Sequence, residues 1–366
     1  MEIGVITNPN SRKNQRKHDR TRVLQSIVGD LGKVVQTPSP DAIKPVLREF
    51  LRRRARFWVS DGGDGALHWM LRMGMEVLEE DEFRHRSLPL AMPTNGGSID
   101  FVAHNVGLRG DAESLLSGLR RALESGQSIE EVEVDSMLCE GIEVTEEGDD
   151  FRSSRPRGAL RGKTTEIPFR TLGFAAAAGG IGQRFFEKMV EAGSHTSSTI
   201  VSIVAKTVAS YPVAMSPLSH VPGMPPVLRQ FARDMFRPTL AHVCLDDRML
   251  PRVDCTGIHV ASMSIDLGGV MRFFGLADEP GQLHAIVGSP TPLQIIRNIP
   301  RMYLGKQMKG DVYDGPCRQM TMKAAGEELL APVIDGEFYP NIRELTFKVG
   351  PRVRIPKVVG RKVARA

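Results

Sequence analysis

No apolar run in the chain approaches the roughly 18 residues a membrane-spanning helix needs, so a helical span is not expected. Cysteine is scarce. Its four copies, Cys139, Cys244, Cys255 and Cys317, form no CxxC pair and have no histidine at ligand spacing. That argues against structural zinc or a disulfide framework, and buried free thiols are expected instead. Aromatic residues make up only 6% and do not interleave with the basic runs as base-stacking platforms would, so nucleic acid is not an expected partner. No internal repeat is visible. The opening "MEIGVITNPN" carries an acid and starts a strand at once, unlike a signal peptide, so the expected location is the cytoplasm.

What is present is a chain of 366 residues, 41% hydrophobic, long enough for two domains. Its net charge of +5 is unevenly spread. Basic residues cluster in "SRKNQRKHDRTR" (11–22), in "RRRAR" (52–56) and in a tail from Lys348 to Ala366 with seven Lys or Arg and no acid. Such clusters suit a polyanion or an anionic membrane surface; a solvated face is the plainer reading.

Along the first third, "EIGVITN" (2–8), "KVVQT" (33–37), "RFWVS" (56–60) and "LPLAM" (88–92) are short β-type runs, most followed by a turn and a helix-length segment. This alternation predicts a parallel sheet covered by helices, with ligands at the carboxyl ends of the strands. A leucine stripe over 110–126 predicts a helix that closes this region near residue 128. Beyond it, alternating runs such as "HVASMSI" (259–265), "LHAIVG" (283–288), "MTMKAA" (320–325) and "ELTFKV" (344–349) predict antiparallel strands. Helical segments are expected around 179–209, 224–237 and 290–304. The polar stretch 145–164 has no apolar period and is expected to be an exposed hairpin extension or a mobile loop.

"VSDGGDGALHWML" (59–71) falls where a strand ends and a helix begins, since Leu67, Met70, Leu71, Met75 and Leu78 recur at helical spacing. Such a junction offers free backbone N–H groups and the positive end of a helix dipole, and Gly62, Gly63 and Gly65 would let a phosphate approach the main chain. Asp64 in this turn would handle a metal or accept a proton rather than attract phosphate. Judged alone, a capped glycine-rich turn explains the stretch equally well.

Three further elements accompany it. "NPNS" (8–11) follows the first strand, "GGSIDFVAHNVGL" (96–108) the fourth, and "IDGE" (334–337) lies near the C-terminus. Together with "GGDGA" (62–66), their order and spacing resemble the NPxSG, GGDGT, GGTxNxFAxxLG and DGE elements of the diacylglycerol kinase catalytic family, which includes bacterial lipid kinases and sphingosine kinases. The resemblance spans nearly the whole chain. It implies an N-terminal Rossmann-like domain of the NAD kinase and lipid kinase type over 1–128, a C-terminal antiparallel β-sandwich acceptor domain over 129–349, and a tail (350–366) packed back on the first.

By the same resemblance Asn8, Pro9, Ser11 and Thr37 would line an ATP site, with Arg12 and Lys13 helping to neutralise phosphate. Gly62, Gly63, Asp64 and Gly65 would cradle the phosphates beside Gly97, and Ser98 would supply a hydroxyl. Glu337, with Asp335 beside it, would be the base that takes the acceptor hydroxyl's proton in a cleft between the domains. Asp64 is the rival base, as in sphingosine kinases. Mg²⁺ would accompany ATP, and Asp278 and Glu279 are candidate ligands for a structural ion. The chain departs from the family pattern at Arg12, Ala66, Trp69, Asp100, Phe101 and Pro280.

"IVSIVAKTVASYPVAM" (200–215) is rich in apolar surface. "MPPVLRQFARDMFRP" (224–238) sets Val227, Leu228, Phe231 and Met235 against Arg229, Arg233 and Arg237, as a helix on an anionic bilayer would; core packing explains either segment alone. His68, His195 and His220 receive no role. The expected activity is transfer of the γ-phosphate of ATP to a lipid hydroxyl by a cytoplasmic protein, peripheral on the inner face of the membrane, with a homodimer left open. Two alternatives stand beside it: a non-catalytic lipid-binding or regulatory protein, and a kinase for a soluble acceptor as in NAD kinases.

Overall fold

Runs that are apolar on both faces become parallel strands when helices cover both sides of the sheet. β1 (Ile3–Thr7) is buried along its whole length. It pairs in parallel with β2 (Gly32–Gln36) on one side and β3 (Phe57–Asp61) on the other, and β3 pairs in parallel with β4 (Leu90–Pro93). The sheet order is β2-β1-β3-β4. The surrounding helices are α1 (Arg20–Val28), α2 (Ile43–Arg52), α3 (Asp64–Leu78), α4 (Phe101–Asn105) and α5 (Ala112–Glu124). α5 starts where Asp111 accepts the Ser114 N–H at 2.9 Å, an N-cap that satisfies one of the first-turn donors.

The computed structural model describes residues 1–11, 13–15, 19–97, 99–146, 160, 162–193, 197–215, 226–267 and 271–358. The chain divides into two compact units, Met1–Val134 with the residues from Arg352 onward, and Asp135–Pro351.

The second unit is built on strands. β5 (Glu131–Glu146), β6 (Thr164–Gly173) and β7 (Ala175–Gly180) are followed by α6 (Ile181–Glu191), α7 (Ser197–Met215) and α8 (Pro226–Met235). Then come β8 (Thr239–Leu245), β9 (Arg248–Met249), β10 (Asp254–Cys255), β11 (Gly257–Ala261), β12 (Ile265–Leu267), β13 (Met271–Phe273) and β14 (Leu283–Gly288). α9 (Pro292–Tyr303), β15 (Val312–Cys317), β16 (Gln319–Ala324), β17 (Val333–Ile334), β18 (Glu337–Phe338) and β19 (Ile342–Pro356) complete the chain. One sheet has the order β10-β8-β16-β19-β5-β6 with β9 beside β8, and a second has β15-β14-β11-β7-β17-β18. Met137, Val243, Met320 and Phe347 from the first sheet and Ala176, Ile258, Ala285 and Ile334 from the second share one buried cluster, which makes this unit a sandwich.

The helix expected around 179–209 is two helices, and the second runs on to Met215. β5 and β6 pair as far as Glu146 opposite Thr164, while residues 147–159 and 161 of the polar stretch lie outside the described residues. On α8, Ala232 and Met235 are buried while Arg233 and Arg237 are exposed, and Arg237 pairs with Glu328, so this face packs inward; the side chains of Val227 and Leu228 lie outside the described residues. No helix of the described residues is long and apolar enough to cross a membrane.

The basic clusters are largely answered by acids on their own unit. Arg52 pairs with Glu82, Arg53 with Glu49 and Arg56 with Glu131. In the tail, Arg352 pairs with Glu133, Arg354 with Glu131 and Lys357 with Glu130. Exposed pairs of this kind add little stability, but they cancel the local field.

All four thiols are free. Burial holds Cys139 well above the usual range, Cys255 at about 11 and Cys317 at about 12. On the acid side, burial lowers His259, whose ring packs against α6 at Gly182, to about 4. Both shifts disfavour the charged form in the folded chain. Stability is therefore expected to fall as pH rises past 9 toward 11–12, where an unfolded thiol ionises first. It is also expected to fall as pH drops from 6.5 toward 4, where an unfolded histidine protonates first, by at most ~1.4 kcal/mol per pH unit for one group. Midpoints of chemical unfolding against pH test this, and His259→Gln is expected to flatten the interval between pH 6.5 and 5.

A candidate phosphate site at the carboxyl edge of the parallel sheet

Thr7, Gln36 and Asp61 end three adjacent strands in register, and Pro93 ends the fourth one position short, opposite Ser60. The loops that follow β1, β3 and β4 meet there. After β1, the Asn8 side chain accepts the Asn10 N–H at 2.9 Å, which folds residues 8–11 into a tight turn. Asn8 donates its own N–H to the Asp61 carbonyl at 3.1 Å, and Asn10 reaches the Pro38 carbonyl at 3.1 Å. Thr37 is buried at the end of β2, with its N–H on the Thr7 carbonyl at 3.0 Å.

The glycines have a second reason to be glycine. A Cβ on Gly63 would stand 2.6 Å from the Gly97 Cα, and one on Gly96 would stand 2.7 Å from the Gly62 carbonyl oxygen. The turns after β3 and β4 thus touch main chain to main chain, and the Gly96 N–H donates to the Gly62 carbonyl at 3.0 Å. Gly62 also has no room for a side chain between Ala66 and the Ser11 hydroxyl. Gly65 lies in the first turn of α3. Ser98 lies outside the described residues, as does Arg12.

α3 begins at Gly63 with no side-chain cap, which leaves first-turn N–H groups without an intrahelical partner at the strand edge. The acids around this helix start are engaged internally. Asp64 accepts from the Phe101 and Val102 N–H groups at 3.2 and 3.3 Å, and so caps the start of α4. Asp100 accepts from the Gly97 N–H at 2.8 Å and from Lys13 Nζ at 3.1 Å. Lys13, expected to neutralise phosphate, is therefore tied to Asp100 and, at 2.5 Å, to the Asn95 carbonyl. Trp69 lies beneath the Arg72 guanidinium, 5.0 Å from ring centroid to Cζ.

Asp61, absent from the expected site, is the most heavily bonded of these acids. It is fully buried, receives Arg20 through Nε at 2.9 Å and Nη2 at 2.7 Å, and accepts from Thr7 Oγ1 at 2.7 Å and Asn14 Nδ2 at 3.2 Å. Arg20 continues to Glu113 at 2.6 Å. The sequence offered only an aspartate at the end of an apolar strand, and nothing local to it named Arg20, 41 positions earlier, as its partner. Two buried side-chain oxygens in this cluster, Asn14 Oδ1 and Asn95 Oδ1, have no partner among the described residues. An open cleft of about 910 Å³ runs along α1, bounded in part by Pro9, Asn14, Arg20 and Gln36.

On the second unit, "IDGE" is a two-residue hairpin turn joining β17 to β18. Asp335 and Gly336 have φ of 50° and 88°, the positive pair a type I′ turn requires. The Asp335 carboxylate is buried and accepts from the Phe174 N–H at 2.9 and 3.1 Å and from the Ala175 N–H at 2.9 Å, so it locks the β6–β7 corner to the hairpin. Glu337 is half-buried, and its carboxylate makes no hydrogen bond or ion pair to a described residue. Asp278 and Glu279 are exposed, and Asp278 accepts the Ser264 N–H at 3.0 Å. Among the described residues no group of three histidine, cysteine or carboxylate side chains gathers as a metal site.

No family model and no curated protein matches the chain. Solved structures do. A structure from Bacillus anthracis strain Sterne described as a "putative diacylglycerol kinase" aligns over 95% of this chain and 94% of its own, with a TM-score of 0.57 and 12% identity. A second, described in the same words and from the same organism, aligns over 96% and 97% with a TM-score of 0.54 and 13% identity. A third, described as a diacylglycerol kinase, covers 98% of both chains with a TM-score of 0.52 and 13% identity. The chain has the fold of these proteins over its full length.

Three outcomes follow from the geometry. Asp61→Ala is expected to cost about 3–5 kcal/mol in chemical denaturation, because Arg20 stays buried with less than its full complement of acceptors. Arg20→Met combined with Asp61→Leu is expected to recover much of that loss. Gly63→Ala is expected to cost about 1–3 kcal/mol by forcing apart two turns that have no slack.

Proposed function

We propose that the protein is an ATP-dependent kinase that transfers the γ-phosphate to the hydroxyl of a lipid of the diacylglycerol type, as a peripheral protein at an anionic membrane surface. The observation that carries this reading is the uncapped start of α3 at the carboxyl edge of the parallel sheet, beside carboxylates whose charge is taken up within the fold. An anion can approach that N-terminus without facing an unanswered acid. Three of the four sequence elements that resemble lipid kinases begin on these turns, and the fold agrees with that resemblance.

In this reading the turn of Asn8, Pro9 and Ser11 and the end of β2 at Thr37 border the nucleotide, the cleft along α1 has the volume of a nucleotide pocket, and Gly62, Gly63 and Gly65 admit its phosphates. Gly97 completes that border, and Ser98 is the hydroxyl donor that the resemblance assigns. The orphaned Asn14 and Asn95 oxygens accept from ligand donors or water. Mg²⁺, when bound with the nucleotide, spreads the charge that develops on the transferred group. It needs few protein ligands when phosphates supply most of its oxygens; Asp278 and Glu279 are the assigned candidates for a separate structural ion.

The base is Glu337. A proton acceptor needs free lone pairs, and Asp335 and Asp64 spend theirs on backbone N–H groups. Asp64 then acts by placing α4 and the turn before it.

A second reading has two observations in its favour. Asp100 holds Lys13 in an ion pair, and Ala66 brings a methyl group where the resembling family has a hydroxyl. A site so altered would bind nucleotide without turnover.

The deciding experiment is transfer of labelled γ-phosphate from ATP and Mg²⁺ into a panel of lipids presented in anionic vesicles. Labelled diacylglycerol product is expected, with Glu337→Gln reducing kcat by about 10²–10⁴ at little change in ATP affinity. ATP binding without any labelled lipid selects the second reading, and a soluble labelled product selects an acceptor of the NAD kinase type. Absence of ATP binding overturns the phosphate-site assignment.

A further inference from the structure

The second unit holds a cavity of about 430 Å³ that no step of the proposed reaction uses. His284 and Asp314, on neighbouring strands β14 and β15, lie in its lining and are almost wholly buried. The Leu276 N–H approaches His284 Nδ1 at 3.3 Å, which makes that nitrogen the acceptor and leaves Nε2 to donate to Asp314 Oδ1 at 2.6 Å. The other Asp314 oxygen accepts the Met308 N–H at 2.6 Å. Asp314 is the only acid among the described residues of the lining, and both of its oxygens accept hydrogen bonds.

Against that one carboxylate stand three cations. Arg272, Arg301 and Lys306 line the same cavity. Arg301 uses Nε on the Gln307 carbonyl at 2.7 Å, and Arg272 meets the exposed Asp266 at 3.3 Å. Lys306 is exposed and pairs with no described residue. Phe274, also in the lining, is held at φ 62°, a left-handed conformation costly for an aromatic residue. Its ring stands edge-on to His284 with centroids 5.7 Å apart. A fixed, desolvated floor beneath three cations is the arrangement that binds an anion with more than surface affinity.

We propose that this cavity binds the phosphate group of a small phosphate ester of about the size of a phosphoglycerol headgroup. Arg272, Arg301 and Lys306 contact the phosphate, and the buried His284–Asp314 pair holds the floor. The site is independent of phosphate transfer at the strand edge of the first unit. Its ligand is either a soluble ester or the headgroup of a membrane lipid, since the recognising chemistry is the same.

The test is calorimetric titration of the full chain with glycerol 3-phosphate, in parallel with co-sedimentation on phosphatidylglycerol and phosphatidylcholine vesicles. Arg272→Gln with Lys306→Gln is compared with Arg52→Gln with Arg53→Gln, which removes equal charge elsewhere, and with Gly63→Ala at the candidate phosphate turn. Thermal unfolding verifies that each variant is folded. Saturable binding weakened at least 10-fold by the first pair alone is expected. Binding of the soluble ester identifies a metabolite site, and selective binding of phosphatidylglycerol vesicles with the same variant dependence identifies a headgroup site. Equal loss in the Arg52 and Arg53 pair, loss only in Gly63→Ala, or no saturable binding to either probe overturns the proposal.

Discussion

A carboxylate with no access to water survives only where donors surround it, and Asp61 meets that demand at the end of β3. Its partners come from separate parts of the first unit: Thr7 from β1, Asn14 from the turn after it, Arg20 from the start of α1 and, through Arg20, Glu113 on α5. Each of these segments must reach its place before the charge is satisfied. The pair therefore fixes the carboxyl edge of the sheet, and with it the position from which the glycine turn departs. A buried hydrogen-bonded network of this kind contributes less to stability than to the choice of one arrangement over its neighbours.

Upon that edge the glycine turns impose a second constraint. Residues 62–63 and 96–97 approach so closely that side chains are excluded from both. Such contact brings several backbone N–H groups into a small region, and a helix start without a side-chain cap opens beside them. The requirement for glycine at these positions comes from the room the opposite turn needs, and the proposed function adds room for a phosphate as a second origin. A substitution at Gly63 disturbs the second before any ligand arrives.

The parallel strands were legible because β-branched runs broken by turn residues carry their own period, and "LHAIVG" matches β14 residue for residue. β7 was not legible: its sequence, AAAAGG, has little strand preference and is held by β11 and β17 on either side. The motif turns were found, but not what their charged side chains do. Asp61 meets Arg20 across 41 positions and Lys13 meets Asp100 across 87, and pairing over such distances leaves no local pattern. Asp335 shows the same limit. Asp-Gly between two short strands announces a type I′ turn, yet that its carboxylate would be spent on the Phe174 and Ala175 N–H groups depends on a corner 160 residues earlier.

The division among the carboxylates follows from that geometry. A carboxylate that accepts several fixed backbone donors has its lone pairs spent and its orientation tied, both of which oppose service as a proton acceptor. Asp335 and Asp64 are in that condition, and Asp100 is held by an amide and an ammonium. Glu337 sits next to the turn that Asp335 locks, half-buried and without a described partner, so its orientation is set by the hairpin while its lone pairs stay available. The adjacent positions in "DGE" thus carry separate duties: the aspartate fixes the backbone, the glycine turns it, and the glutamate is the residue to which the proposed reaction gives the chemistry. In the proposed reaction, a rigid hairpin that holds one carboxylate without a described partner is suited to a base acting on a single hydroxyl, because the turn fixes where that carboxylate stands and no backbone donor competes for its lone pairs.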